Sequence, residues 1–290
     1  MDKKWFRETL YDYDINKIGY SQSFLYQGDV ISVNSAYQLI EVFDNPKFGK
    51  VLVLDGVIQT TENDEYFYHE MFAHVPCFYF NNAKSVLIIG GGDGGILREV
   101  VKHKNLEKIV MVEIDSKVFE ISKKYIPNLV NDADKDSRVE ILFEDGIEFV
   151  KKSNEKFDIV IVDSTDPVSV AEGLFTVEFY KDVRSILNEK GIVATQSGVP
   201  FFQQQEMINV YAKLKSLFDF CDFFIVPVPT YVGGFMALSF ASNFNYIKNV
   251  DYNSVNVAIK EKNILNLKYY NLDMHFSCFK LPQYIKNVIY

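Results

Sequence analysis

The chain reads as an α/β protein: a mostly parallel sheet with helices on its faces, preceded by a small domain of antiparallel hairpins. Three observations predict this. From Asn82 onward, short apolar runs alternate with helical stretches, the rhythm of a parallel sheet. Before residue 62 the rhythm differs, with short alternating segments between turn-forming residues. Between them in importance stands Ser85 to Asp115, SVLIIGGGDGGILREVVKHKNLEKIVMVEID, which reads as strand, glycine turn, helix and strand. Such a unit binds a nucleoside at the carboxyl edge of a parallel sheet.

In the first 62 residues the predicted strands are 19–26, 29–33, 36–43, 51–55 and 57–60. Gln27-Gly28, Asn34-Ser35, Asn45-Pro46 and Asp55-Gly56 supply turn chemistry between them. A helical pattern follows over Glu65 to His74 and is expected to close at Pro76. We divide the chain into residues 1–62, a β-strand domain, and 63–290, a catalytic domain that begins with this linking helix (63–82).

Beyond Asn82 the predicted strands are 86–89, 109–112, 139–143, 159–162 and 192–196, with helices over 96–103, 117–126, 146–152, 177–187 and 203–217. Residues 223–228 and 235–242 read as a closing strand pair around Gly233-Gly234. The remainder, 243–290, is rich in Asn, Lys and Tyr and weakly periodic, so a helix and an irregular tail are expected.

Composition narrows the function. A net charge of −9 argues against nucleic acid and anionic membrane, and favours a cationic ligand. No run of 18 apolar residues occurs, and MDKKWFRETLYDYD lacks a signal peptide's apolar core, so a cytoplasmic location is expected. Cys77, Cys221 and Cys278 have no metal-ligand spacing and read as buried reduced thiols. No metal is expected.

Gly90, Gly92 and Gly95 satisfy G-x-G-x-x-G, and Glu113 lies about 20 residues on, where a carboxylate can take both ribose hydroxyls. Each predicted strand also delivers acid to the carboxyl edge: Asp93, then Glu113 and Asp115, then Asp145, then Asp163 and Asp166. Asp115 and Asp145 can equally cap the helices after them, and Asp166 can cap a turn before Pro167. Asp93 with the Asp163-Ser-Thr-Asp166 pair is costly without cations. An aspartate inside the glycine loop disfavours a dinucleotide's pyrophosphate. A nucleoside with cationic nitrogen and no carboxylate, such as decarboxylated S-adenosylmethionine, suits the pocket better than intact S-adenosylmethionine.

At these residues the chain resembles the spermidine synthase family of aminopropyltransferases, over nearly its whole length. The resemblance rests on YQLIEVF (37–43), GKVLVLDGVIQTTENDEYFYHEM (49–71), VLIIGGGDGGILREVVKH (86–103), VEID (112–115), FDIVIVDSTDP (157–167), PTYVGG (229–234) and YYNLDMHF (269–276). YHEM resembles the bacterial branch. The resemblance implies a seven-stranded, mostly parallel, methyltransferase-like Rossmann domain carrying the N-terminal hairpin domain. It implies that Gln38 contacts the nucleoside with Gly90 and Gly92, that Glu113 takes the ribose, and that Asp145 with Gly146 reaches the adenine. Asp93 would bind the amine of the aminopropyl arm. Tyr68, His69, Asp163, Asp166 and Tyr231 would line the amine-acceptor site, with Asp163 as general base, and Trp5 would cover it.

The implied reaction moves the aminopropyl group of decarboxylated S-adenosylmethionine to putrescine, giving spermidine and 5′-methylthioadenosine, with no cofactor. The long connection at 164–176 is expected to close over the substrates. A homodimer or homotetramer is implied. One departure stands out: the family's Gly-Pro after DS(S/T)DP is Ser169-Val170 here. Other acceptors (agmatine, cadaverine or spermidine), a small-molecule methyltransferase and a non-catalytic polyamine- or nucleoside-binding protein remain open on the residues alone.

Overall fold

A computed structural model describes residues 4–8, 19–165 and 169–290, with the side chains of 169–171 outside the description. Asp166 therefore lies outside the described residues, as does part of the connection expected to close. The N-terminal strands β1 (Lys4–Arg7), β2 (Ser23–Asn34), β3 (Leu39–Asn45), β4 (Gly49–Leu54) and β5 (Val57–Thr61) form one antiparallel sheet in chain order.

The expected turn at Gln27-Gly28 is not a turn. β2 runs through it, and the β2–β3 ladder shifts register between Gln27 and Ile31. Gly28, at φ +72°, sits in that bulge, where the absence of a Cβ removes the strain of a positive φ.

Helix α1 (Glu65–Tyr79) is longer than the periodicity predicts, because it continues through Pro76. An internal proline costs about 3 kcal/mol. Here Cys77, Phe78 and Tyr79 are all buried beyond it, so tertiary packing outweighs the lost bond.

The second sheet has seven strands: β6 (Ser85–Gly90), β7 (Lys108–Val112), β8 (Val139–Leu142), β9 (Phe157–Asp163), β10 (Leu187–Gln196), β11 (Phe220–Pro227) and β12 (Phe235–Ser242). Their order is β11-β12-β10-β9-β6-β7-β8. Pairing is parallel from β8 to β10 and antiparallel only where β12 joins β10 and β11. The crossovers carry α2 (Gly95–Val100), α3 (Ser116–Tyr125), α4 (Pro127–Val130), α5 (Gly146–Lys152), α6 (Val177–Ser185) and α7 (Gln204–Lys215). A 3₁₀ helix spans Ser169–Phe175.

The central strands read as continuous apolar runs because both sheet faces are covered. One core layer joins α1 to the Val86, Ile88, Ile159 and Ile161 face; another packs Leu87, Ile89, Val160 and Val162 against α6 and α7 residues such as Phe179 and Val210. Ile40, Val42, Leu52 and Leu54 of the N-terminal sheet pack on Val118, Ile126 and Leu129. That contact sets the N-terminal sheet over the carboxyl edge of β6 and β7.

The expected irregular tail is instead largely helical: α8 (Tyr246–Asn249), α9 (Tyr252–Lys262), α10 (Leu272–Ser277) and α11 (Gln283–Ile289). The buried Glu70 carboxylate of α1 accepts from the backbone N–H of Lys268, Tyr269 and Tyr270, each over 2.8 Å. Asn271 then caps α10 by accepting from Met274 N. Long-range anchoring, not local periodicity, orders this segment.

Candidate active site

A cavity opens where the two sheets meet. Lining it are the predicted residues Gln38, Gly90, Gly92, Asp93, Glu113, Asp145 and Gly146 with Tyr68, His69, Asp163 and Tyr231. Trp5 of β1 does not line it; it pairs with Leu25 of β2 and is 57% exposed.

One half of the cavity lies beyond β6, β7 and β8. Glu113 follows β7, and its Oε1 accepts from Asp115 N over 2.7 Å, which fixes the carboxylate toward the glycine loop. Burial pushes Glu113 up to about 7, against its hydrogen bond from Asp115 N. Asp115 does not line the cavity: it caps α3 and accepts from Ser35 Oγ (2.6 Å) and Gln38 Nε2 (3.0 Å). It thereby ties the N-terminal sheet to the start of α3. Asp145 both lines the cavity and caps α5, accepting from Ile147 N at 2.8 Å.

The glycine loop approaches its own protein more closely than expected. A Cβ on Gly92 would stand 2.8 Å from Glu113 Oε2, and one on Gly95 would stand 2.2 Å from the His69 ring. These two glycines make room for site side chains, not only for a ligand.

The other half of the cavity centres on Asp163 at the end of β9. Its backbone oxygen accepts from Gly91 N (2.8 Å), and its Oδ1 accepts from Tyr68 Oη (2.7 Å). Burial and the neighbouring Asp93 charge push Asp163 up to about 6. Asp93, whose Oδ1 accepts from Gly95 N (2.8 Å), shows the opposite. Burial opposes its charge, yet His69, 3.1 Å away, holds it below the usual carboxylate range.

Tyr231 is delivered by a separate device. Buried Asp64, between β5 and α1, accepts from Thr230 N (3.0 Å) and Thr230 Oγ1 (2.7 Å). Tyr231 Oη then donates to Gln59 O over 2.7 Å, leaving its ring 6.0 Å from that of Tyr68.

Two acids of opposite habit, one held below the usual carboxylate range and one pushed up to about 6, thus share a cavity with the glycine loop and Glu113. Comparison with known proteins decides the family. A family model described as spermine/spermidine synthase domain matches residues 65–253, and one described as spermidine synthase tetramerisation domain matches 5–62. The chain belongs to the spermine/spermidine synthase family. It is an enzyme of the polyamine aminopropyltransferase class.

The chain is 42% identical over 284 residues to polyamine aminopropyltransferase 1 of Pseudomonas aeruginosa, covering 98% of this chain and 97% of that one. It is 43% identical over 286 residues to the polyamine aminopropyltransferase of Buchnera aphidicola, with coverage of 98% and 97%. Among solved structures, a spermidine synthase in complex with the transition state analogue AdoDATO superposes with a TM-score of 0.91 at 36% identity. It covers all of this chain and 96% of that one. The spermidine synthase of Thermotoga maritima gives 0.88 at 35% identity, with coverage of 100% and 95%.

In this family member, several cavity residues carry no sequence signal of their own. Glu8, Gln59, Gln196 and Gln203 line the cavity, yet each reads as an ordinary strand, loop or helix-start residue. Glu8 is 2% exposed and accepts from Ile58 N over 2.9 Å; a carboxylate three residues after Trp5 in WFRE was the available hint. Among the described residues no group of three or more His, Cys, Asp or Glu could hold a metal ion, and no helix is long and apolar enough to cross a membrane.

Proposed function

We propose that the enzyme transfers the aminopropyl group of decarboxylated S-adenosylmethionine to putrescine, giving spermidine and 5′-methylthioadenosine, with Asp163 as general base. The observation that carries this is the Tyr68–Asp163 pair facing Asp93 across a cavity whose other half is built for a nucleoside. The structural likeness to a spermidine synthase holding AdoDATO supports the same donor half.

In this reading Glu113 takes the ribose, Asp145 and Gly146 reach the adenine, and Gln38, Gly90 and Gly92 flank the nucleoside. Asp93 holds the donor's ammonium. The acceptor amine, with a pKa like that of lysine, arrives protonated and without a free lone pair. Asp163 takes one proton from it, and the freed nitrogen attacks the propyl carbon bonded to the sulfonium. The carbon–sulfur bond breaks, its electron pair stays on sulfur, and neutral methylthioadenosine leaves without needing a general acid. Catalysis then rests on in-line positioning of two cations by fixed carboxylates. His69 and Tyr231 complete the acceptor wall, and Asp166 is assigned there by its motif.

The reading also takes residues 1–62 and 63–290 as the two domains, with assembly into a homodimer or homotetramer through the first. The tetramerisation-domain match over 5–62 supports this.

The test is a parallel assay of the donor with putrescine, cadaverine, agmatine and spermidine, reading methylthioadenosine and the new amine together. Spermidine as the main product from putrescine is expected. Turnover with another amine alone would move the acceptor, and no methylthioadenosine from any amine would overturn the reaction.

A further inference from the structure

The proposed reaction uses Asp93 and Asp163 but gives no task to two buried charges behind them, Glu65 and Arg98. Neither lines the cavity. Both reach it through His69, which is 2% exposed. His69 Nδ1 lies 2.7 Å from Glu65 Oε2, one helical turn back on α1, and His69 Nε2 lies 3.1 Å from Asp93 Oδ2. An ionised carboxylate can only accept, so both ring nitrogens must carry protons for both contacts to be hydrogen bonds. With both carboxylates ionised, the ring is an imidazolium clamped between two acids.

Arg98 of α2 completes the set. Its Nη2 donates to the same Glu65 oxygen over 2.6 Å, and its Nε donates to Glu99 Oε1 over 2.8 Å. The ring cannot tilt away on the other side, because it stands against Gly95, where even a methyl group would overlap it. The charged and titratable groups facing His69 are thus Glu65 and Tyr68 from α1, Asp93 and Arg98 from the β6–α2 segment, and Asp163 from β9. Burial opposes the ring's charge, but Asp93 and Glu65 together raise it to about 10.

A buried histidine pair elsewhere shows that this is a choice of partners and not a habit of the core. His74 Nδ1 lies 2.8 Å from His103 Nε2, and His103 Nδ1 lies 3.3 Å from Lys262 Nζ. A lysine ammonium can only donate, so His103 Nδ1 is an acceptor and that ring is neutral. Burial holds His103 well below the ordinary histidine range.

We infer that Glu65, buttressed by Arg98, is a positioning residue for the reaction: it holds His69 as an imidazolium against Asp93, so that Asp93 remains the permanent anion for the donor's ammonium and Asp163 remains the proton acceptor. The inference rests on the aminopropyl-transfer reading of this site. Without the imidazolium, Asp93 and Asp163 would be two neighbouring buried carboxylates with no cation between substrates. One would then protonate, and only the hydrogen bonds from Gly95 N to Asp93 and from Tyr68 Oη to Asp163 would be left to decide which.

The test joins a spectrum to a kinetic profile. In the wild-type protein, nitrogen NMR of the histidine rings at about pH 8, above the ordinary histidine range, should show both His69 nitrogens protonated, with His69→Gln supplying the assignment. In Glu65→Gln, which keeps the shape and removes the charge, His69 should become a neutral tautomer at that pH. The acid limb of kcat/KM for the amine should move up by about one unit or more, the size of a lost neighbouring charge. KM for the donor should rise, methylthioadenosine affinity should hold, and Glu65→Asp should restore part of the wild-type profile.

A singly protonated His69 in the wild-type spectrum overturns the inference and needs no variant to show it. So does a Glu65→Gln enzyme with the wild-type acid limb and donor KM. Absence of methylthioadenosine from the wild type with every amine would bring down the reaction reading, and this inference with it, whatever the ring nitrogens show.

Discussion

The Tyr68 hydroxyl and Asp163 Oδ1 stand 2.7 Å apart, joining the first turn of α1 to the last residue of β9. The phenol is buried, and burial with the adjacent Asp163 charge raises it well above its usual range, so it stays a donor. It occupies one carboxylate oxygen and leaves the other to receive a proton from the amine. The pair is thus an oriented base, not simply an acid at a strand end.

Tyr68→Phe removes that orientation without emptying the site. We expect kcat to fall by about ten- to a hundred-fold, the worth of a hydrogen bond to a charged group. Methylthioadenosine binding, measured by calorimetry, should be unchanged. A kcat equal to wild type would show that Asp163 needs no orienting partner.

The pH profile follows from the direction of the Asp163 shift. A base must be unprotonated to act, and Asp163 is pushed up to about 6. kcat/KM for the amine, which reports the free enzyme, should therefore rise through about pH 6 and not through the ordinary aspartate range near 4. An acid limb near pH 4 would mean that burial does not govern this carboxyl.

Gly95→Ala tests the close approach of His69. Overpacking of this kind costs about 1–3 kcal/mol, readable as a lower urea midpoint. Cutting His69 to Ala in the same chain should return part of the loss, since the added methyl then has space. An additive double variant would place the strain elsewhere.

Much of this was legible in residue pattern because the pattern and the physics agree. The central runs 86–89, 109–112 and 159–162 are apolar throughout since both faces are buried, and acids that meet in the cavity follow their carboxyl ends. What escaped the sequence depends on distant contacts. Pro76 reads as a stop, yet Phe78 and Tyr79 beyond it are held by the core. Residues 268–270 read as a loose tail, yet they are pinned by Glu70. Gly28 reads as a turn and is a bulge, a distinction set by β3 and not by β2 itself. In the site, the acids were visible as residue types, but the charge of His69 was not. It is created by Glu65 and Asp93 converging from two elements, and no local spacing encodes that convergence.

The most direct test of the account is Asp163→Asn, measured for turnover and for methylthioadenosine affinity on the same preparation. General-base loss should reduce turnover by about a hundred- to ten-thousand-fold, with the nucleoside affinity unchanged. Turnover near that of wild type, or an equal loss of turnover and nucleoside affinity, would contradict the assignment of Asp163 as the base.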